Sequence, residues 1–208
     1  MNLSSPMSSV IPGAKGEVLS ILARTTEELT GNVIASLAGG RVSQTGANKA
    51  LKTLVADGLV LSRPAGKAIL YQLNRDHVAA DAIVELADLQ SALTTRIEEQ
   101  VAGWHLPPIS VALFGSAARG QGTSTSDIDL LVVRPDTVEE EQPVWSRQVM
   151  ELTDAVARWT GNRCEILEYS EAEFARLVRD HDTLIDNLRR DAVALAGRTP
   201  RELTRTGR

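Results

Sequence analysis

A chain of 208 residues, 43% hydrophobic and 24% charged, is long enough for one large or two small folded domains, and with aromatic residues at 3% its core must be built from Leu, Val, Ile and Ala. One cysteine, Cys164, excludes an internal disulfide, and one Cys with three scattered His excludes a Cys/His zinc site. The net charge of -5 is unevenly placed: residues 1–75 hold 8 Lys and Arg against 4 Asp and Glu, while residues 76–208 hold 14 against 23, which points to two domains with different partners. The start, "MNLSSPMSSVIPGAKG", lacks a basic and apolar leader, and no apolar run reaches about 18 residues, so neither export nor a membrane span is expected and a reducing cytoplasm fits. Residues 1–13 read as a flexible tail.

In chain order, "AKGEVLSILAR" carries Val18, Ile21 and Leu22 on one helical face. "EELTGNVIASLAG" follows with Leu29, Val33, Ile34 and Leu37 and stops at Gly39-Gly40, a second short helix. In "RVSQTGANKALKTLVADGLV", Ser43 is placed to cap a third helix, Ala47, Leu51, Leu54 and Val55 form its buried stripe, and Gly58 ends it. "LVLSRPAGKAILYQL" then reads as two strands around a turn. Three helices and a hairpin over residues 14–75 give the order of a winged helix-turn-helix, and "SQTGANKALKTLVADGLV" resembles that module in bacterial regulators. The resemblance implies DNA as partner. Gln44, Thr45, Asn48, Lys49 and Lys52 face out from the third helix with groups suited to base edges and phosphates, and Arg63 and Lys67 are expected at the hairpin tip.

Residues 76–104 carry Ile83, Leu86, Leu93, Ile97, Val101 and Trp104 at helical spacings, either a connecting helix, a dimer contact or the first helix of the next domain. Pro107-Pro108 ends it. Beyond, "ISVALF" reads as a buried strand, "GSAARG" as a turn opening a helix, "GTSTS" as a loop and "DIDLLVV" as a second strand. Side chains alternate across a strand, so Asp127 and Asp129 share a face, roughly 7 Å apart, where they repel unless a cation lies between them. Mg²⁺ suits such a pair together with substrate phosphates. Gly115 lets backbone approach a phosphate, Ser116 adds a hydroxyl donor, and Arg119 can neutralise a phosphate oxygen.

"GSAARGQGTSTSDIDLLVV" resembles, at full spacing, the Gly-Ser and Asp-x-Asp signature of the DNA polymerase β-like nucleotidyltransferase superfamily, especially its minimal nucleotidyltransferase branch. The likeness extends over about residues 80–197, where "LIDNLRRDAVALAG" resembles the C-terminal helix of small members. The implied fold class is α/β (α+β): a winged helix-turn-helix at 14–75, a connecting helix at 76–104, a nucleotidyltransferase domain at 105–197 with a small mixed sheet flanked by helices, and a basic tail at 198–208.

The same resemblance implies transfer of a nucleoside monophosphate with release of pyrophosphate, with AMP from ATP onto a protein or RNA hydroxyl as the expected reaction. Asp127 and Asp129 would hold Mg²⁺, and Gly115, Ser116 and Arg119 the triphosphate. Glu165, on a short strand at 163–169, would be the third carboxylate, with Glu168 as the alternative on the opposite face. Family members usually show Asp at that place. Small members are commonly antitoxin-like partners of toxins, and a winged helix would let such a protein repress its own operon as a homodimer. Two other classes remain open: a regulator whose nucleotidyltransferase fold only senses a nucleotide, and a scaffold that binds protein alone. His105 and His181 have no partners at ligand spacing and receive no role.

Overall fold

The computed structural model describes residues 1–206. Its contacts divide the chain into two compact units, one of Ser4–Leu89 and one running from Gln90 onward. Among the described residues no helix is long and apolar enough to cross a membrane.

The first unit contains helix α1 (Ala14–Ala23), strand β1 (Leu29–Thr30), helices α2 (Gly31–Leu37) and α3 (Gln44–Ala56), strands β2 (Val60–Ala65) and β3 (Ala68–Leu73), and helix α4 (Ala80–Ala87). Its three strands are antiparallel in the order β1-β3-β2. Ser43 caps α3 by accepting from the Gly46 amide at 3.1 Å, an arrangement typically worth about 1 kcal/mol. Ala47, Ala50, Leu51 and Leu54 then close onto Val18, Leu19, Leu22 and Ile34, all buried.

Three expectations change here. The second helix is shorter than its apolar pattern suggested, because Leu29 and Thr30 pair with Tyr71 and Leu70 of β3 instead of winding; Ile34 is buried, whereas Val33 and Leu37 are exposed. Residues 1–13, expected as a free tail, include a 3-10 turn at Pro6–Ser9 whose Met7 is wholly buried in the α1 and α3 core. The helical pattern of 76–104 breaks at Asp88, leaving α4 in the first unit and α5 (Leu89–Ala102) almost wholly in the second. Ile83, Leu93, Ile97, Val101 and Trp104 are each buried within this chain, so that stripe serves the two cores and is not free for a dimer contact.

The second unit continues with β4 (Ser110–Phe114), the single turn α6 (Gly115–Ala118), β5 (Ile128–Arg134), α7 (Pro143–Thr160), β6 (Cys164–Ser170), α8 (Glu171–Arg179), α9 (Thr183–Asp191), β7 (Val193–Gly197) and α10 (Pro200–Thr206). The sheet order is β6-β5-β4-β7, with β5 and β6 parallel and the other pairs antiparallel, a small mixed sheet as expected. Strand alternation divides the core. Leu113, Ile128, Leu130 and Val132 pack with Ile97, Trp145 and Leu152 on one face; Ala112, Leu131 and Val133 pack with Phe174, Val178 and Leu188 on the other.

Ser170 caps α8, and Glu173 returns a bond to the Ser170 amide at 2.7 Å, the reciprocal box that "SEAE" predicts. The C-terminal stretch departs from expectation. "LIDNLRRD" is helix α9, but "VALAG" is strand β7, because β4 has an open edge that it fills. Of the expected basic tail at 198–208, Pro200–Thr206 is helical and Leu203 is buried; residues 207 and 208 lie outside the described residues.

Candidate active site

The register of the sheet gathers the predicted residues at one end of three strands. Phe114, the last residue of β4, pairs with Asp129, and Asp129 pairs across β5 and β6 with Glu165. Odd-numbered residues of β5 and β6 share a face, so Asp129 and Glu165 stand on the side of Leu131, Val133 and Tyr169, while Asp127 immediately precedes β5. The turn after β4 is forced close to Asp129. Gly115 has φ +71, and a Cβ there would come 2.3 Å from the Asp129 Oδ2. Only glycine leaves room for the carboxylate and takes this backbone without strain.

Electrostatics follow from the crowding. Burial, then the charges of Glu165 and Asp127, push the Asp129 carboxyl above the usual aspartate range, with Arg119 opposing. Arg119 is itself bound: Nη1 donates to the Asp191 Oδ2 at 2.8 Å and Nε to the Gln121 Oε1 at 3.0 Å. Ser116 is half-buried at the start of α6.

Glu165 pairs with Arg163 at 2.8 Å. Glu168, the alternative, lies on the other face, where it accepts from the Trp145 indole at 2.7 Å and pairs with Arg134 at 3.2 Å. Burial nonetheless raises its carboxyl above the ordinary value. It is thus committed to the core beside α7.

The sequence reading did not single out Asn162, whose Nδ2 donates to the carbonyls of Thr123 at 3.0 Å and Ser126 at 2.8 Å and so ties down the loop that delivers Asp127. It also passed over Arg163, which meets Glu165 two residues away in sequence, and Asp191, which only the β4–β7 pairing brings to Arg119. The oxygen-rich donor set at Asp127 and Asp129 fits a hard divalent cation of the Mg²⁺ type. Among the described residues no three His, Cys, Asp or Glu side chains close into a metal cage. Mg²⁺ does not ask for one, since it keeps waters and is commonly held by one or two carboxylates with substrate phosphates.

Cys164 adjoins the site, paired in register with Ile128, and burial, followed by the charges of Asp129 and Glu165, pushes its thiol up to about 12. In the native protein at pH 8 its alkylation by iodoacetamide is expected to be roughly 10³-fold slower than in the urea-unfolded chain. Comparable rates by mass spectrometry would contradict that environment.

On the first unit, Gln44, Thr45, Asn48, Lys49 and Lys52 all lie exposed on α3. Gln44 donates to the side-chain oxygen of Asn32. Lys67 sits in the turn between Ala65 and Ala68, but Arg63 does not: it pairs with Leu70 down the strand, and its guanidinium grips Glu28 through two donors. Those bonds hold the Glu28 carboxyl below its usual range. Asn48, Lys52 and Lys67 line one cleft of about 420 Å³ together with Thr30, Asn32 and Tyr71.

The family model of the nucleotidyltransferase domain matches residues 96–192, a span from within α5 to just past α9 that holds Gly115, Ser116, Arg119, Asp127, Asp129 and Glu165. The match supports the class: an enzyme that transfers a nucleoside monophosphate. No curated protein matches the chain significantly. Among solved structures, a toxin-antitoxin structure with AMP-PNP is 17% identical, covers 55% of this chain and 82% of its own, and has a TM-score of 0.37. A structure described as a nucleotidyltransferase from Sulfolobus solfataricus is 27% identical, covers 53% and 86%, and has a TM-score of 0.31. Superpositions this partial leave the architecture to rest on the chain's own strand order and register.

Proposed function

We propose that the protein is a Mg²⁺-dependent nucleotidyltransferase that moves AMP from ATP, or another nucleoside monophosphate, onto a hydroxyl of a protein or RNA, and that its first unit is a winged helix that binds double-stranded DNA. The observation that carries the enzyme is the shared register of Phe114, Asp129 and Glu165, which puts the Gly115-Ser116 turn, two carboxylates and a third beside one another.

In this mechanism the Gly115 backbone admits the triphosphate closely, and the Ser116 hydroxyl donates to an outer phosphate oxygen. Arg119 offsets its charge. Asp127 and Asp129 would hold Mg²⁺, which when bound polarises the phosphates and neutralises the departing pyrophosphate. Glu165 would accept the proton of the attacking hydroxyl once Arg163 releases it. Burial, and then repulsion from Glu165 and Asp127, raise the proton affinity of Asp129, and a divalent cation held by these carboxylates would offset that repulsion.

Transfer from α-labelled ATP with Mg²⁺ tests this, with the protein itself and a host extract as acceptors. Label that depends on Asp129 identifies a transferase and reveals its acceptor by size. Mg²⁺-dependent ATP binding without label would instead mark a nucleotide-sensing regulator, a reading favoured by the Arg163 partner of Glu165.

The DNA-binding role is supported by the helix order, the β1-β3-β2 sheet and the exposed polar face of α3. An antitoxin-like protein that represses its own operon and takes a toxin-like partner as acceptor would use both units. Replacing Lys49 and Lys52 together with Ala is expected to weaken DNA binding about tenfold or more at low salt and to lower the salt slope by about 2, with nucleotide affinity unchanged. An unaltered slope would remove α3 from the DNA interface, and a parallel loss of nucleotide affinity would dismiss the division of labour.

A further inference from the structure

We propose that Arg190 is a phosphate-contacting residue of the nucleotide site, paired with Arg119 as a clamp on the outer phosphates and set in position by Asp191; this rests on the nucleotide site argued above. Strand β7 pairs with β4 through Leu113 and Val193, so Asp191, just before β7, arrives beside the Gly115 turn on the flank opposite Glu165. There it binds two guanidinium groups at once. Arg119 Nη1 reaches its Oδ2 at 2.8 Å, and Arg190 Nε reaches both carboxylate oxygens at 3.1 Å. Burial alone would raise the Asp191 carboxyl, yet the bonds from Arg119 and then Arg190 hold it below the usual range, so it stays ionised and anchors both cations.

The arrangement is layered. The Asp191 side chain is 10% exposed, that of Arg119 36% and that of Arg190 63%, which leaves the carboxylate beneath and the guanidinium groups toward solvent. Two positive charges against one negative leave the cluster with a net positive charge. Arg119 lies close enough to lower the Asp129 carboxyl, and Arg190 shares with Arg119 the Asp191 carboxylate that holds it.

Arg190 is oriented further by Asn187, whose Oδ1 accepts from Nη2 at 2.9 Å. A guanidinium carries more N–H donors than these contacts use, and a phosphate oxygen is the ligand that matches them. Its neighbour Arg189 is turned away, toward Asp186 and the Thr204 carbonyl, so the two adjacent arginines of "NLRRD" have different work.

Calorimetric affinities of the full chain with Mg²⁺ for ATP, pyrophosphate and AMP decide the matter, comparing wild type, Arg190→Gln and Arg190→Lys. The expected result is about a tenfold loss for ATP and pyrophosphate in Arg190→Gln, partial recovery in Arg190→Lys, and unchanged AMP affinity, since AMP lacks the outer phosphates. Wild-type ATP and pyrophosphate affinity in Arg190→Gln would overturn the clamp while leaving the nucleotide site standing. Equal losses for ATP and AMP would make Arg190 a structural residue and also overturn it. No ATP binding by the wild type would remove the nucleotide site itself.

Discussion

Asp129→Asn is expected to lower nucleotidyl transfer by roughly 10³-fold or more while making the metal-free protein more stable, not less. The loss follows from the several kcal/mol of charge stabilisation that a metal supplies at a transferring phosphoryl group, at a factor of ten for each 1.4 kcal/mol or so. The gain follows from the crowding of the carboxylates. Burial and the charges of Glu165 and Asp127 raise the Asp129 carboxyl. A carboxyl whose folded value lies above its unfolded one favours the fold when protonated, an advantage full below the ordinary aspartate range and lost as pH rises through the raised value. At neutral pH the ionised group therefore weighs against folding, and an isosteric amide removes that burden. Thermal melting at pH 7 should show Asp129→Asn a few degrees above wild type without metal. Adding Mg²⁺ should raise the melting point of wild type and leave that of the variant nearly still. A Mg²⁺ response of equal size in both would remove Asp129 from the metal site, whatever the activity.

Gly115→Ala is expected to cost about 1 kcal/mol or more in stability and roughly 10²-fold in transfer. The left-handed backbone at φ +71 penalises any Cβ by about that energy. The further contact is with the Asp129 Oδ2 at 2.3 Å, and a carboxylate held in a strand cannot move aside without leaving the position that the proposed site needs. Displacement of a reacting group by about 1 Å is enough for a 10²-fold loss. Gly120→Ala makes the comparison clean. It too has positive φ, at +64, but its Cβ would meet only the end of the Gln90 side chain at 3.4 Å. Equal losses of activity in the two variants, measured by transfer from labelled ATP, would show that backbone strain and not the approach to Asp129 matters at Gly115.

The sequence by itself determined what depends on local chemistry and period. Ser43 and Ser170 cap their helices because a hydroxyl three residues before an amide has one place to bond, and the alternation of "DIDLLVV" placed Asp129 opposite Ile128 and Leu130 before any sheet was known. The Gly-Ser and Asp-x-Asp spacing marked the stretch that the nucleotidyltransferase model covers. Tertiary structure decided what depends on partners distant in the chain. "LT" at 29–30 became a strand because β3 offered an edge, "VALAG" became a strand because β4 did, and Asp88 separated a helical pattern whose two halves serve different cores. Periodicity reports which face of an element is apolar, and it is silent on which neighbour will cover it. For the same reason Arg63 went to Glu28, Glu168 to Trp145 and Arg134, and Asp191 to Arg119: each pairing joins residues that only the fold brings within reach.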